Sequence, residues 1–118
     1  MRVFMYWNLH KQCWSLKALS GPCRGRVVGH ANSVELRQCH FKVSEAGRQR
    51  VLREKRKNVH AGVVGELVAT DAPVSLDGVP VTYNPYRVGH FESADLLRTP
   101  MTEAPRVVAN GRRVVACH

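Results

Sequence analysis

The stretch Ser44–Ala61, SEAGRQRVLREKRKNVHA, contains the one helix that the sequence predicts, and the rest of the fold is predicted around it. Ser44 is a favoured N-cap residue, and Glu45 places a negative charge in the first helical turn, where backbone N–H groups are unpaired. Cations crowd the far end, where the unpaired groups are carbonyls. Asn58 favours the left-handed conformation that ends many helices. The pattern therefore predicts a helix over about Glu45–Lys57.

The predicted helix has an apolar side and a cationic side. At about 100° per residue, the apolar side carries Val43, Gly47, Val51 and Leu52. The opposite side carries four cations: Arg50, Arg53, Arg56 and Lys57. Six of the ten residues from 48 to 57 are cationic and only Glu54 is anionic. A merely solvated face usually mixes the two signs, so this row predicts an anionic partner; a solvated face is the simpler alternative.

The composition indicates one folded and strongly basic domain. The chain has 118 residues, of which 44% are hydrophobic, so it is long and apolar enough to bury a single core over residues 1–118. It has 18 Lys and Arg against 9 Asp and Glu, which gives a net charge of +9. Such a balance favours partners that carry phosphate, such as a nucleotide or a nucleic acid, or an acidic protein surface.

The cysteines and histidines do not form a metal-binding pattern. The four cysteines show no Cys-x-x-Cys spacing: Cys13, Cys23, Cys39 and Cys117. In Cys39-His40 and Cys117-His118 the adjacent side chains would point to opposite faces of a strand, so neither pair chelates easily. There is no signal peptide and no long apolar run. The sequence therefore predicts reduced thiols in a cytoplasmic protein, without a metal, a cofactor or a membrane partner.

Hydrophobic alternation predicts strands on both sides of the helix. Before the helix the predicted strands are Arg2–Leu9, Cys13–Leu19, Arg26–His30 and Val34–Val43. After it, Val59–Ala69 resumes strand character. Two hairpins are predicted from turn dipeptides: Asp77-Gly78 between Val74–Leu76 and Val79–Tyr83, and Asn110-Gly111 between Arg106–Ala109 and Arg112–Cys117. The predicted fold class is α+β: an antiparallel sheet or small barrel with one main basic helix packed on it.

Residues 83–87, YNPYR, combine side chains that suit a nucleotide. A base can stack on Tyr83 or Tyr86. The amide of Asn84 can pair with an adenine edge, and Arg87 can hold phosphate as a fork. The alternative is a structural β-turn in which one tyrosine joins the core and Asn84 bonds to its own backbone. The residues alone do not separate the two.

The hairpin dipeptide Asn110-Gly111 is followed by a second candidate for phosphate binding, Arg112 and Arg113. Neighbouring residues on a strand point to opposite faces, so at most one of them faces a given pocket. Two solvated arginines are the common alternative. The chain has no P-loop, no G-x-G-x-x-G, no H-E-x-x-H and no G-x-S-x-G motif. Because its enriched groups bind anions and bases, the chain is predicted to be a binding protein and not an enzyme.

Several motifs resemble a widespread family of small phage proteins. They are RVVGHA at 26–31, GRQRVLREKRKNVHA at 47–61, YNPYR at 83–87 and GRRVVA at 111–116, together with a first strand that ends in Asn8-Leu9-His10. In these motifs and in length the chain is similar to the first-described phage anti-Thoeris proteins. That resemblance implies a signal sponge, which holds cyclic ADP-ribose variants made by bacterial TIR-domain enzymes and does not cleave them. Some members of that family are hexamers that also hold cyclic oligonucleotides.

The resemblance also implies a pocket of arginines, an aromatic ring and a polar amide, to which Arg112 or Arg113, Tyr83 or Tyr86, and Asn84 correspond here. It implies a homo-oligomer, with a hexamer as one form, acting in the cytoplasm of an infected bacterium. A cationic helix face gathered around a symmetry axis would then suit a cyclic oligonucleotide. Two other functions stay open: a small basic nucleic-acid-binding protein whose helix lies on phosphates, and an inhibitor that docks on an acidic face of a host protein.

Overall fold

The computed structural model describes residues 1–117, which fold into ten strands and one helix. In chain order the elements are β1 (Arg2–Asn8), β2 (Cys13–Ala18), β3 (Val27–Ala31), β4 (Ser33–Val43), α1 (Glu45–Glu54), β5 (Ala61–Thr70), β6 (Val79–Thr82), β7 (Phe91–Ser93), β8 (Pro100–Met101), β9 (Glu103–Asn110) and β10 (Arg113–Cys117). The strands form one antiparallel sheet in the order β3-β2-β1-β5-β4-β9-β10-β6-β7-β8. No helix within residues 1–117 has the length and apolarity needed to cross a membrane.

The fold is mostly β, so the predicted α+β class with a main basic helix is wrong. Strands make up 52% of the chain and helix only 9%. The sheet is open, with β3 and β8 as its edges, so the small-barrel alternative is wrong as well. The helix is a minor element because α1 buries only Val51. A single buried side chain is too little apolar surface for a helix to form a layer of the core.

The helix α1 is also shorter than predicted. It begins at the predicted residue, under the Ser44 cap, and ends at Glu54, three residues before the predicted end. The left-handed residue that ends it is Lys55, at φ 54° and ψ 32°, and not Asn58. A single non-glycine residue can take this conformation, so Lys55 ends the helix although asparagine adopts the conformation more readily than lysine. As a result, Arg56–Lys57 lies beyond the helix.

The strand predictions made from alternation are confirmed before the helix to within one residue at each end. Their apolar positions form the core. Val3 and Met5 of β1 are fully buried, and Trp14 and Leu16 of β2 lie beside them. The predicted hairpin at Asn110-Gly111 is confirmed as the β9–β10 connection, in which Gly111 takes a φ of 58°. A glycine with positive φ at the first central position is typical of a two-residue β-hairpin.

The hairpin predicted at Asp77-Gly78 does not form. The preceding residues belong instead to an irregular segment, 72–78, that covers the outer face of β9 and β10. There Val74 and Leu76 pack on three buried side chains: Val108, Val115 and Cys117. At Gly78 a β-carbon would stand 2.5 Å from the carbonyl oxygen of Ala116. The glycine therefore permits close approach to β10 and does not form a hairpin turn.

The sheet curls so strongly that strands far apart in its order meet. Trp14 of β2 donates from Nε1 to the carbonyl oxygen of Gly111, in the β9–β10 turn, at 2.7 Å. Four steps separate β2 from β9 in the sheet order, which would be roughly 19 Å across a flat sheet. Asn32 alone joins β3, at one edge, to β4 in the middle. The concave face of this curl encloses the main core, and the candidate site opens beside it.

Candidate functional site

A cleft opens where the end of β1 meets two irregular segments of the chain. Its volume is about 490 Å³. Its walls are residues 57–61, which lead from α1 into β5, and residues 82–86, which follow β6. The remaining lining residues are Tyr6, Trp7, Leu9, Val51 and Arg112. A concave space of this size is in the usual range for a small-molecule site.

Tyr83 forms a fixed aromatic wall of the cleft. One side of its ring stacks on Phe91, with 5.0 Å between the ring centroids, and Phe91 in turn packs on Phe41 of β4 at 5.2 Å. The hydroxyl of Tyr83 lies 2.7 Å from Nε2 of His60. Since Nδ1 of His60 faces the carbonyl of Asn58 at 3.2 Å, Nδ1 donates there and Nε2 accepts from the tyrosine. Burial raises the pKa of Tyr83, so its hydroxyl stays a donor.

The helix α1 supports the cleft from behind. Gly47 lies against His60, and a β-carbon at Gly47 would stand only 2.5 Å from the β-carbon of that histidine. Nε of Arg48 donates to the carbonyl of Pro85 at 2.9 Å, and the same guanidinium holds Glu45 at 3.1 Å. The helix therefore touches both irregular walls. Its inward side positions the cleft, although its residues were predicted to act through the outward side.

Asn84 adopts the structural role that the sequence left open. Its Oδ1 accepts a hydrogen bond from the Tyr86 N–H at 3.0 Å, and its carbonyl accepts from the N–H of Arg87 at 3.0 Å. These bonds form a tight turn. Reading an adenine edge would need both the oxygen and the nitrogen of the amide, and the oxygen is already occupied. The Nδ2 group of Asn84 is the part left to meet a ligand, beside the 61% exposed ring of Tyr86.

Arg87 lies outside the cleft and is held by an internal acid. Its Nε lies 2.8 Å from Oε1 of Glu92, a carboxylate only 2% exposed, and Arg98 approaches the same oxygen at 3.2 Å. The Arg87 guanidinium is the main cause that lowers the pKa of Glu92. Arg87 therefore fastens the turn after Tyr86 to β7, and the structure does not bring it together with the other predicted ligand residues.

The two hairpin arginines separate. Arg112 sits in the β9–β10 turn and lines the cleft, with its guanidinium carbon 5.7 Å from the centroid of the Trp7 ring. Arg113 is the first residue of β10, is exposed and does not line the cleft. The sequence predicted that at most one of the two arginines would face a given pocket, and of the two only Arg112 lines the cleft. Trp7 also meets Trp14 edge to face at 5.2 Å.

The cations assigned to the helix also separate. Lys57 lines the cleft at the end of the first irregular wall. Three others are exposed: Arg50, Arg53 and Arg56. Within residues 1–117, none of these three takes part in an ion pair. The four cations predicted as one anion site therefore divide into one cleft residue and an outward row.

Among the lining residues that sequence reasoning missed are Tyr6, Trp7, Leu9 and His60. Alternation assigned Trp7 and Leu9 to the buried face of a strand, which is true of β1 only up to Met5. Two adjacent aromatic residues at the end of a strand, just before the polar loop from His10, were the signal available. His60 has no such signal in the sequence, because its role comes from contacts with Gly47 and Tyr83, which are distant from it in sequence.

The cleft is equipped to bind an anion that carries an aromatic ring. Its lining contains four aromatic rings, two cations and polar groups from Asn58, Thr82 and Asn84. Within the described chain, no aspartate, glutamate, cysteine or serine lines it. Rings that stack on a base and guanidinium groups that pair with phosphate are the usual partners of a nucleotide.

The comparisons with known proteins identify a phage family. No solved structure matches the chain significantly. The gene 82 protein of Mycobacterium phage L5 is 41% identical over 113 residues, an alignment that covers 91% of this chain and 88% of that protein. The family described as Mycobacterium phage L5 gene 82 protein matches residues 1–117. The chain therefore belongs to this family of small phage proteins.

Proposed function

We propose that this protein binds a cyclic nucleotide signal in the cleft and sequesters it without cleaving it, as a phage anti-defence sponge of the anti-Thoeris type does. The observation that carries the proposal is the meeting of Tyr83, Asn84, Tyr86 and Arg112 in one concave site. Three of these residues come from the segment after β6 and Arg112 comes from the β9–β10 turn, and each segment carries side chains that suit a nucleotide.

The lining offers a place for each part of a cyclic ADP-ribose-like ligand. The exposed ring of Tyr86 is free to stack on the adenine, and the Nδ2 group of Asn84 can donate to an acceptor on its edge. Arg112 and Lys57 are the two cations in the lining, and they supply charge-assisted hydrogen bonds to a pyrophosphate. A sponge needs roughly nanomolar affinity, about −12 kcal/mol, which favours such charge-assisted contacts.

Binding without cleavage fits the same lining. Hydrolysis of a phosphodiester or glycosidic bond draws on a general acid, a general base or a metal, and carboxylates are absent from the described lining. The imidazole of His60 is tied at both nitrogens, to Asn58 and to Tyr83. Its role in this proposal is to hold the tyrosine wall in place.

The test is recovery of the ligand. The purified protein is incubated with cyclic ADP-ribose variants and with cyclic di- and trinucleotides, washed, and then heat-denatured. We expect an intact nucleotide to appear by mass spectrometry only after denaturation. Arg112→Ala should lower the recovered amount, and Arg113→Ala is the matched control, since it removes the adjacent cation that lies outside the cleft. Release of a linear or hydrolysed product, or no capture at all, would refute sequestration.

A second candidate function is binding of nucleic acid by the outward row of cations on α1 and just beyond its end. It is favoured by the exposed row of Arg50, Arg53 and Arg56, for which the described residues provide no ion-pair partner. Salt separates the two functions. Binding along phosphates weakens steeply as salt rises, because each contact releases counterions, whereas a nucleotide stacked in a cleft is less sensitive. The two affinities are therefore compared at low and high salt.

A further inference from the structure

The loop between β7 and β8 displays two leucines that its own fold leaves uncovered. In this leucine turn, residues 94–98, Leu96 is fully exposed and Leu97 is 83% exposed. They are the most exposed large apolar side chains in the described chain. Single exposed leucines are common on protein surfaces, but adjacent and fully exposed ones indicate a contact with another surface.

The leucine turn is held in one conformation. Oδ1 of Asp95 accepts hydrogen bonds from the Ser93 hydroxyl at 2.8 Å, from the Leu97 N–H at 3.0 Å and from the Arg98 N–H at 3.1 Å. The Ser93 hydroxyl also accepts from the Thr99 N–H at 2.8 Å. A turn fixed by four hydrogen bonds loses little conformational freedom when its leucines become buried, which favours docking.

An apolar pocket lies elsewhere on the same molecule. It holds about 220 Å³ on the outer face of β1 and β5, and it is lined by Phe4, Leu19, Val59 and Val64, with Lys17, Lys42, Ser44 and His60 completing it. No residue of the leucine turn lines it, so the turn does not fill the pocket of its own chain. The pocket therefore offers apolar walls and lysines at the same place.

The turn and the pocket match in charge as well as in polarity. All three bonds to Asp95 use Oδ1, so Oδ2 of this exposed carboxylate has no partner within residues 1–117. Lys17 and Lys42 of the pocket likewise take part in no ion pair there. Docking the leucines between the apolar walls would bring the acid toward the lysines. The chain thus carries both halves of one complementary contact.

We propose that the leucine turn of one copy docks in the apolar pocket of a second copy. Because the two surfaces differ, the contact is made either twice across a two-fold dimer axis or head-to-tail around a closed ring. The pocket shares Val59 and His60 with the cleft, but the contact needs no nucleotide, so its test does not depend on the proposed function.

The test uses two variants, each blocking one half of the contact. Leu96→Glu with Leu97→Glu blocks the turn, and Leu19→Glu blocks the pocket; all three residues are solvent-exposed, so folding should survive, as circular dichroism checks. By light scattering, we expect the unmodified protein to be a multiple of 13.2 kDa and each variant to be a monomer. An equimolar mixture of the variants should form a dimer and nothing larger, because one intact turn and one intact pocket remain.

Three results would overturn the proposal. The first is an unmodified protein of 13.2 kDa at micromolar concentration. The second is assembly of the pocket variant alone, which would mean that the leucines pair with each other. The third is failure of the two variants to combine. If Leu19→Glu does not fold, Lys42→Glu replaces it, since that residue is exposed and reverses one charge at the pocket.

Discussion

The cleft and the outward face of α1 are both basic, yet they differ in every property that makes a ligand site. The cleft is concave, combines aromatic rings with Arg112 and Lys57, and is fixed by contacts such as the 2.7 Å bond between His60 and Tyr83. On the outward side, Arg50 and Arg53 of α1 and Arg56 just beyond the helix are exposed to solvent, and none of the three lines the cleft.

The number of cations in a stretch of the sequence therefore does not show where the ligand site lies. The outward row holds more cations than the cleft, but cations in water are already solvated, and exposed ion pairs contribute about 0–1 kcal/mol. Because Arg112 and Lys57 are exposed as well, the cleft differs from the outward row in its concave shape and in the aromatic rings beside its cations.

Removing Arg112 should weaken the cleft ligand most. Arg112→Ala deletes a cation of the lining and is expected to cost about 1.5–3 kcal/mol, roughly a 10- to 150-fold rise in Kd, because charge-assisted hydrogen bonds are lost. Calorimetry with a captured cyclic nucleotide measures it. Arg113→Ala should leave Kd nearly unchanged. Equal losses in both variants would mean that charge alone, and not the cleft, governs binding.

Filling the space at Gly47 should damage the cleft through its support. Gly47→Ala would favour the isolated helix by about 1 kcal/mol. Here the new methyl would stand 2.5 Å from the β-carbon of His60, so we expect a net loss of about 1–3 kcal/mol in the free energy of unfolding. Urea denaturation measures this loss. Ala46→Ser, at an exposed neighbouring position, is the control. An unchanged or higher stability would show that α1 is free to move away from the cleft.

Acid should loosen the turn that follows Tyr86. Arg87, with Arg98, lowers the pKa of Glu92 in the folded protein. The ionised carboxylate therefore stabilises the fold fully above its unfolded-state pKa, about 4.3. This stabilisation is lost as the pH falls through the lower folded-state pKa. Thermal denaturation from pH 7 to pH 3 should therefore show a fall in Tm that is smaller in Glu92→Gln. A parallel fall in both proteins would mean that other carboxylates dominate.

Changes on the outward face should affect the cleft ligand least. Arg50→Ala or Arg53→Ala is expected to change its affinity by less than about 0.5 kcal/mol, as is usual for surface substitutions. If nucleic acid binds this face, each variant should reduce the slope of log K against log salt by about one. A large effect of either variant on the small nucleotide would remove the distinction between the two basic regions.

Local pattern was enough to predict much of the sheet. Strand periodicity placed Val3, Met5, Trp14 and Leu16 in the core, and the Asn110-Gly111 turn fixed one hairpin. The fold class was predicted wrongly, because capping and charge patterns indicate a helix but not how little of its surface is buried. The pattern of cations suggested a main helix, whereas the apolar surface available to it was one buried side chain.

Several residues of the candidate site were predicted one by one, but only the folded sheet brings them together. Tyr83, Tyr86 and Arg112 were identified from residue type, since rings and guanidinium groups suit nucleotides wherever they occur. The division between Arg112 and Arg113 follows from the position of the turn, and the role of Arg87 depends on Glu92, which is buried beside it. Contacts such as that of Gly47 with His60 have no signature in a single sequence.

The one-residue joint at Asn32 has a consequence for the order in which the chain folds. β3 pairs with β2 of the same N-terminal segment, whereas β4, which follows without a loop, pairs with β5 and with β9, so that Ser33 lies opposite Asn110. Because only Asn32 separates β3 from β4, the part of the sheet that contains β3 and the part that contains β4 have little freedom to move apart. β4 gains its second neighbour only when β9, in the last quarter of the chain, is present, so a nascent N-terminal fragment leaves one edge of β4 unpaired, and these long-range pairings make slow folding the expected behaviour.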